Sequence, residues 1–180
     1  MRIELAVDGH PVTVRDLRPA DEDGVLAVFA ACEDWFTAAT GQPSAPGDVQ
    51  SSFYSLPEGA DLDDKVLLVI DAGTEIIGFV DAVRRYPHIA AVSIGAFLIH
   101  PDFRRLGIGR AVAEALFGAA READFAQINA HVVEGWLPGR KFLAELGFTF
   151  SAPRRPSGTG NRNPGPGEDR TVIPALIAIG

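Results

Sequence analysis

The chain has 180 residues, 47% of them hydrophobic and 22% charged, a balance typical of one packed globular domain that excludes a fibre or a disordered chain. No apolar run approaches the roughly 18 residues that cross a bilayer, and charged residues interrupt any signal-like start, so we expect a cytoplasmic protein without a membrane partner. The single cysteine, Cys32, excludes an intrachain disulfide, and the four histidines show no ligand spacing, so no metal site is predicted.

The charge is divided unevenly along the chain. The net charge of -8 disfavours a nucleic-acid partner, because such binding needs a basic surface. Residues 1–81 carry 16 acidic and 4 basic side chains, whereas residues 82–180 carry 8 acidic and 12 basic ones. We hypothesise that the C-terminal half binds an anionic cofactor and that the N-terminal half lines a cavity for an amine-bearing acceptor. An ordinary solvated surface is the alternative.

The first half of the chain alternates between strand and helix patterns. Alternating segments over 2–7 and 12–17, joined by the turn sequence DGHP, predict a hairpin. The pattern then predicts, in order, a helix over 21–32, a loop over 41–47, a short amphipathic segment over 49–56, a second hairpin from 65–70 and 75–83, and a long strand over 90–99.

The second half has the pattern of a strand-helix-strand crossover. A helix follows from residue 108, and the pattern then predicts a strand over 127–133, a helix over 137–146 that stops at Gly147, a strand from residue 148, and a closing strand over 171–179. Residues 151–170 are rich in Gly, Pro, Ser and Arg and predict a long mobile loop. We therefore expect one domain over residues 1–180, with an α/β or α+β sheet.

The segment VSIGAFLIHPDFRRLGIGRAV, residues 92–112, predicts an anion site. It is typical of a buried strand, a proline-marked turn and a helix that opens on Gly107 and Gly109. The first amides of a helix lack carbonyl partners, and glycine lets a diphosphate approach them and the positive end of the helix dipole. Arg104, Arg105 and Arg110 add positive charge around these amides.

Other glycine-rich phosphate sites fit this segment less well. A dinucleotide-binding fingerprint needs a third small residue, and Val112 stands at that position. A Walker-type loop needs Gly-Lys followed by Ser or Thr, and the sequence contains none. A purely structural turn and a nucleotide-dependent oxidoreductase remain as alternatives to a site of another kind for a diphosphate.

The order of the predicted elements, the IHPDFRRLGIGRAV segment and the later RKFLAELGF segment together resemble the GNAT superfamily of acyl-CoA-dependent N-acetyltransferases, over nearly the whole chain. The resemblance implies a mixed, mostly antiparallel central sheet of about seven strands, splayed at the cofactor site and flanked by helices. It implies acetyl-CoA as the cofactor and an amine of a small molecule or of a peptide or protein as the acceptor. Dimers are common in the family, so a homodimer is an expectation by analogy alone.

The resemblance also assigns cofactor contacts to particular residues. Backbone atoms of Leu98, Ile99 and His100 would contact the pantetheine, and backbone N-H groups near Leu98 and Ile99 would stabilise the thioester oxygen. Lys141, like the neighbouring Arg140, lies where it would reach cofactor phosphates, although a solvated helix face explains both. The pyrophosphate would be held by Arg104, Arg105, Leu106, Gly107, Ile108, Gly109 and Arg110.

Direct attack of an amine on a thioester needs a base, and Asp81 is the first candidate. It lies in the otherwise apolar strand GFVDAV, next to the strand assigned to pantetheine, where burial would raise its pKa. An outward-facing carboxylate on the sheet is the alternative. The weaker candidates are Glu33, Asp34, Glu134 and His131, with Ser93 as a residue that could position a water.

The general acid departs from the family pattern. Where many members carry a Phe-Tyr pair whose tyrosine protonates the thiolate, this chain has Phe142 and Leu143, and leucine cannot donate a proton. Trp136 likewise replaces an asparagine often found at the start of that helix. Either the thiolate leaves unassisted, or Tyr54 or Tyr86 substitutes, or the domain is a non-catalytic acyl-CoA sensor or interaction module.

Four aromatic side chains fall in the region that walls the acceptor cavity in the family: Trp35, Phe36, Phe53 and Tyr54. They would bury an apolar acceptor body while acidic neighbours attract its amine. Packing in the core is the alternative. The sequence therefore predicts an acetyl-CoA-dependent N-acetyltransferase and leaves its acceptor open.

Overall fold

The structure is a computed structural model that describes residues 1–155 and 170–180. In these residues the chain forms, in order, β1 (Arg2–Val7), β2 (His10–Asp16), α1 (Glu22–Ala31), α2 (Glu33–Thr40), α3 (Asp48–Tyr54), β3 (Lys65–Asp71), β4 (Ile76–Arg84), β5 (Ala91–Ile99), α4 (Ile108–Glu122), β6 (Gln127–Val133), α5 (Leu137–Glu145), β7 (Thr149–Phe150) and β8 (Val172–Ala178). No helix in this part of the chain is long and apolar enough to span a membrane.

The described strands form a single sheet in the order β1-β2-β3-β4-β5-β6-β8-β7. Its neighbours are antiparallel except for β5 and β6, which are parallel and joined through α4. The predicted mixed, mostly antiparallel α/β sheet is confirmed. It has eight strands where about seven were expected, because the end of the chain contributes both the two-residue β7 and β8.

Two local predictions needed refinement. A separate helix, α2, follows α1 directly at residues that the pattern left unassigned, and it ends where Gly41 adopts a left-handed φ of 83°. Most of the predicted mobile loop, residues 156–169, lies outside the described residues. Near its start, Arg154 pairs with Val172 through two backbone hydrogen bonds of 2.8 Å, so this part of the segment extends the sheet.

Apolar side chains cover both faces of the sheet. On one face, α1, α2 and α3 pack on alternate residues of the central strands, among them Leu67, Phe79 and Leu98. On the other face, α4 packs over Val80 and Ile99, and α4 and α5 together cover β6 and β8. Because alternate strand residues point to opposite faces, β5 contributes to both cores and is fixed from two sides.

A buried ionic cluster joins β2 and β3 to the residue that caps the start of α1, on the face covered by α1 to α3. Arg15 donates two hydrogen bonds to the carboxylate of Asp21, at 2.7 and 2.8 Å, and a third to Asp71 at 2.9 Å. The hydrogen bonds from Arg15 lower the pKa of the Asp21 carboxyl, and desolvation opposes this only in part. Folding therefore favours the ionised form of Asp21.

We expect Asp21→Asn to lower the free energy of unfolding by about 3 kcal/mol at pH 7. The contribution of Asp21 is complete above its unfolded-state pKa of about 3.9 and is lost as the pH falls through the lower pKa of the folded state. The difference between the variant and the wild type should therefore shrink below about pH 4. Urea unfolding at both pH values measures it, with the exposed Asp23→Asn as the control. An equal difference at both pH values would contradict the ionic explanation.

Candidate active site

The sheet divides between β5 and β6. Only three residue pairs join them in the described structure, the last being Ser93 with Asn129. Beyond Ser93, β5 stays paired with β4 as far as Ile99, but none of the described strands pairs with its other side. Main-chain donors and acceptors on that side of β5 are therefore available to an extended ligand, since buried main-chain groups need partners. We call this gap the fork.

A β-bulge lies in β5 at the fork. Asp81 pairs with Ala96 and Ala82 pairs with Ile94, so Gly95 has no opposite residue on β4. A side chain added at Gly95 would contact the Asp81 carboxylate at 3.6 Å. The bulge was not predicted, although an isolated glycine in a strand pattern is a recognised signal for one. It leaves exposed backbone beside a carboxylate.

β5 leads through a short turn into the start of α4, as the sequence predicted. Gly107 caps this helix with a φ of 78°, a left-handed conformation that strains any residue with a side chain. A side chain added at Gly109 would make ordinary contacts of 3.5 Å with Phe142. Ile108 is buried and anchors the turn, while Leu106 is exposed beside it. The first amides of α4 are thus held at the open end of the fork.

The three arginines of this turn differ in what they contact. Arg104 donates to the carboxylate of Asp34 at 2.7 Å and, through Nε, to the carbonyl oxygen of Ile99 at 2.8 Å. This pair lowers the pKa of Asp34 and raises that of Arg104, in each case chiefly through the hydrogen bond between them. Arg105 and Arg110 are exposed, and Nη1 of Arg110 lies 3.7 Å from the carboxylate of Glu114, one helical turn away. Arg104 thus joins the turn to α2, whereas Arg105 and Arg110 place their positive charge at the surface of the turn.

The residues assigned to pantetheine lie at the end of β5, and part of their backbone is already engaged. The N-H of His100 donates to the carbonyl of Ile77 at 2.8 Å, and the carbonyl of Ile99 accepts from Arg104. Leu98 is buried against the helices of the first face. Lys141 is exposed on α5, with its Nζ 3.9 Å from the carboxylate of Glu145, as in a solvated helix face.

A cavity of about 140 Å³ occupies the fork. α2 contributes Trp35 on one side, while α4 and α5 contribute Phe117 and Leu143 on the other. Its lining is apolar except for main-chain groups and one imidazole, that of His131. The cavity passes through the sheet between apolar side chains and borders the unpaired backbone of β5. This arrangement suits a narrow flexible chain with a reactive end.

The sequence model of the Acetyltransferase (GNAT) family matches residues 29–148, two thirds of the chain. This stretch contains β3, β4, the fork, the glycine turn and α5. The chain belongs to the GNAT acetyltransferase family. No sequence among curated proteins matches it.

The fold of this GNAT chain is similar to that of several solved acetyltransferases. An acetyltransferase from Thermus thermophilus superposes with a TM-score of 0.70 at 19% identity, covering 99% of both chains. The GNAT domain of S. lividans PAT gives 0.68 at 18% identity, covering 98% of this chain and 96% of that one. The ribosomal-protein-S18-alanine N-acetyltransferase from Escherichia coli gives 0.62 at 17% identity, covering 94% of each.

GNAT enzymes use acetyl-CoA, and the residues around the fork fit that molecule. The unpaired side of β5 offers hydrogen bonds to the amides of pantetheine, and the amides behind Gly107 face a position open to a diphosphate. The mainly apolar lining of the cavity suits an acyl chain better than a phosphate. When bound, acetyl-CoA would supply an activated acyl thioester to such a site.

Asp81 lies on β4 beside the bulge, on the face covered by α1 to α3. Its carboxylate contacts Nζ of Lys65 at 2.7 Å, and both side chains are nearly buried. Burial raises the pKa of Asp81, while the hydrogen bond and charge of Lys65 act against that rise. Lys65 also donates to the carbonyl of Ser55, just after α3. The sequence did not predict this lysine as a partner, because the register of β3 against β4 brings the two together.

The other candidate bases are dispersed. Glu33 and Glu134 are exposed, and Asp34 is committed to Arg104. Ser93 lies at the closed end of the fork. His131 lines the cavity itself, so the structure brings this weaker candidate to the centre of the site.

The predicted aromatic wall is divided between three places. Trp35 lines the fork cavity, whereas Phe36 is buried in the core of the first face. Phe53 and Tyr54 border a separate open groove together with Lys65, and Tyr54 is 79% exposed. Among the described residues that line the fork, none is a tyrosine, so neither Tyr54 nor Tyr86 stands in the place that Leu143 takes.

Proposed function

We propose that this chain is an N-acetyltransferase that moves an acetyl group from acetyl-CoA to a primary amine of a small molecule, a peptide or a protein. The observation that carries the proposal is the free side of β5. It runs from the bulge at Gly95 to the end of β5 at Ile99, and a short turn then leads to Gly107, so one extended ligand can hydrogen-bond along the strand and end on the helix amides.

Each part of acetyl-CoA has a group in this arrangement. Backbone groups around Leu98, Ile99 and His100 that are not already engaged by Ile77 or Arg104 bind pantetheine, and N-H groups of the same strand stabilise the developing charge on the thioester oxygen. Lys141 and Arg140 are exposed on α5 and bind the cofactor phosphates that lie farthest from the fork. The pyrophosphate is held by the turn formed by Arg104, Arg105, Leu106, Gly107, Ile108, Gly109 and Arg110, with Arg104 acting through its position rather than as a ligand.

The acceptor reaches the bulge from the face covered by α1 to α3. This half of the chain supplies most of the acidic residues, which favour a protonated amine over an anionic acceptor. Asp81, beside the bulge, accepts the proton that an ammonium must lose before its nitrogen can attack. Lys65 keeps that carboxylate ionised in a buried position. The net charge of -8 weighs against a nucleic acid as the acceptor.

A thiol-release assay tests the proposed function. Acetyl-CoA is supplied with a panel of alkylamines, a lysine-containing peptide and a peptide with a free N-terminus, and thiol release should depend on both the protein and the amine. Thermal shift provides the binding control, because a ligand present at 100 times its Kd adds about 2.7 kcal/mol of stability. Stabilisation by NADPH instead of acetyl-CoA would refute the proposal. Binding of acetyl-CoA without turnover would favour the acyl-CoA sensor, which Leu143 leaves as the second interpretation.

The role of Asp81 has its own test. We expect Asp81→Asn to lower kcat/KM by about 100-fold and to remove the rising limb of the pH profile that reports ionisation of this carboxyl. In Lys65→Met the charge that opposes the raised pKa of Asp81 is lost, so the rising limb should move to higher pH. Thermal unfolding of both variants measures the structural cost. If both variants lost the same amount of stability and kept the pH profile of the wild type, the ion pair of Asp81 and Lys65 would have a purely structural role.

A further inference from the structure

Leucine at position 143 leaves the reaction without the family's tyrosine, and the structure shows what else can move a proton in the fork. Among the described residues that line the cavity, His131 is the one with a titratable side chain. It stands on β6, across the fork from the bulge of β5, and the cavity extends between them. Leu143 lies on the opposite wall, on α5.

The direction of the His131 side chain follows from strand alternation. Its neighbours Ala130 and Val132 belong to the face covered by α4 and α5, so His131 points to the other face, where α2 lines the cavity and where the acceptor enters. Asp81 also belongs to this face, because it alternates with Phe79. Both side chains therefore lie on the acceptor side of the sheet, His131 at the cavity and Asp81 beside the bulge at Gly95 that borders the cavity.

We infer that His131 is a catalytic residue that takes the second proton of the attacking amine and returns it to the leaving thiolate. The inference rests on the proposed function and deepens it. As the amine nitrogen bonds to the carbonyl carbon, one N-H proton passes to the imidazole. As the carbon-sulfur bond breaks, the imidazolium gives that proton to the sulfur, and His131 is neutral again. One group thus does the work for which a separate acid would be needed.

The surroundings of His131 agree with this cycle. His131 lines the cavity, and desolvation of its ring, together with the positive charge of Arg154, lowers the pKa of the imidazole. The neutral form that accepts a proton is therefore the resting form at pH 7. α2, α4, α5 and the facing part of β5 contribute apolar residues to this space, so within the part of the chain that the structure describes Arg154 is the charged group that acts on the ring.

Kinetics of His131→Asn give the first test. We expect kcat to fall by about 100-fold while the Kd for acetyl-CoA changes little, since the proposed contact of His131 is with the sulfur alone and the rest of the cofactor is bound by β5 and the glycine turn. Thermal unfolding of the variant measures the structural cost, so a fall in kcat without a fall in stability supports the inference. His88→Asn, an exposed histidine of the loop before β5, is the matched control and should leave all three unchanged. An unchanged kcat in His131→Asn would overturn the inference.

A second readout does not depend on turnover. The ring resonances of His131, followed by NMR, should differ between the complex with CoA and the complex with desulfo-CoA, because the thiol at the end of pantetheine lies beside the imidazole in the first complex only. Equal chemical shifts in the two complexes would overturn the inference. If the wild type binds acetyl-CoA but releases no thiol with any amine, the proposed function fails, and this comparison still decides whether His131 contacts the sulfur.

Discussion

Gly78→Ala is expected to lower the free energy of unfolding by about 3 kcal/mol. A methyl group at this buried position in β4 would lie 2.5 Å from the carbonyl oxygen of Leu98 and 2.7 Å from Cδ1 of Ile70. The first neighbour is backbone, so the clash cannot be relieved by a side-chain rotation. It must move β5, which is held by cores on both faces.

The effect of Gly78→Ala should extend to the site, because the strand displaced is the one that borders the fork. Chemical unfolding measures the stability, and Gly118→Ala is the matched control. Apart from the backbone of α4 itself, no atom of residues 1–155 and 170–180 lies within 4 Å of the added group, so that change should be neutral or stabilising by up to about 1 kcal/mol. A loss below about 1 kcal/mol for Gly78→Ala would show that β4 and β5 separate at little cost.

Gly107→Val is expected to raise the Kd for acetyl-CoA by at least about tenfold, equivalent to about 1.4 kcal/mol. The φ of 78° at this position is strongly unfavourable for a β-branched residue. The turn must either hold that strain or rotate away, and rotation withdraws the amides of α4 from the diphosphate. Isothermal titration with acetyl-CoA measures the change.

Two controls separate the loss of amides from general strain. Gly73→Val introduces a β-branched residue at a φ of 88° in the turn between β3 and β4, so it should lower stability without affecting the Kd. Gly118→Ala adds a methyl to the same helix, away from the turn and in open space, and it should keep the affinity within about threefold. A Kd for Gly107→Val equal to that of the wild type would show that the turn does not bind the diphosphate.

Local signals predicted much of the framework. The apolar spacing of α4, the glycines at its start and the turn sequence before β2 each depend on residues a few positions apart, so short-range sterics and periodicity were enough. α2 was missed because it follows α1 with hardly a break, and the boundary at Cys32 carries no proline or glycine signal. The bulge at Gly95 was not predicted, although an isolated glycine within a strand pattern indicates one.

The partners of charged residues were beyond sequence reasoning. Arg104 and Arg105 are adjacent and chemically identical, yet Arg104 bonds to Asp34, 70 positions away, while Arg105 stays exposed. Asp81 was predicted as a buried carboxylate, but its contact with Lys65 depends on the register between β3 and β4. Such pairings depend on how distant elements approach each other, which periodicity within one element does not encode.

The sequence by itself determined that this chain has a glycine-opened helix suited to a diphosphate and that its family's tyrosine is missing at position 143. Both statements concern residue types at fixed spacings, and these do not change with folding. Only the tertiary structure decided that the sheet opens beyond Ser93 and that His131, a minor candidate before, lines the space opposite Leu143. The reason is physical: a cavity is formed by side chains from α2, β5, β6 and α5, whose meeting depends on the packing of the whole sheet.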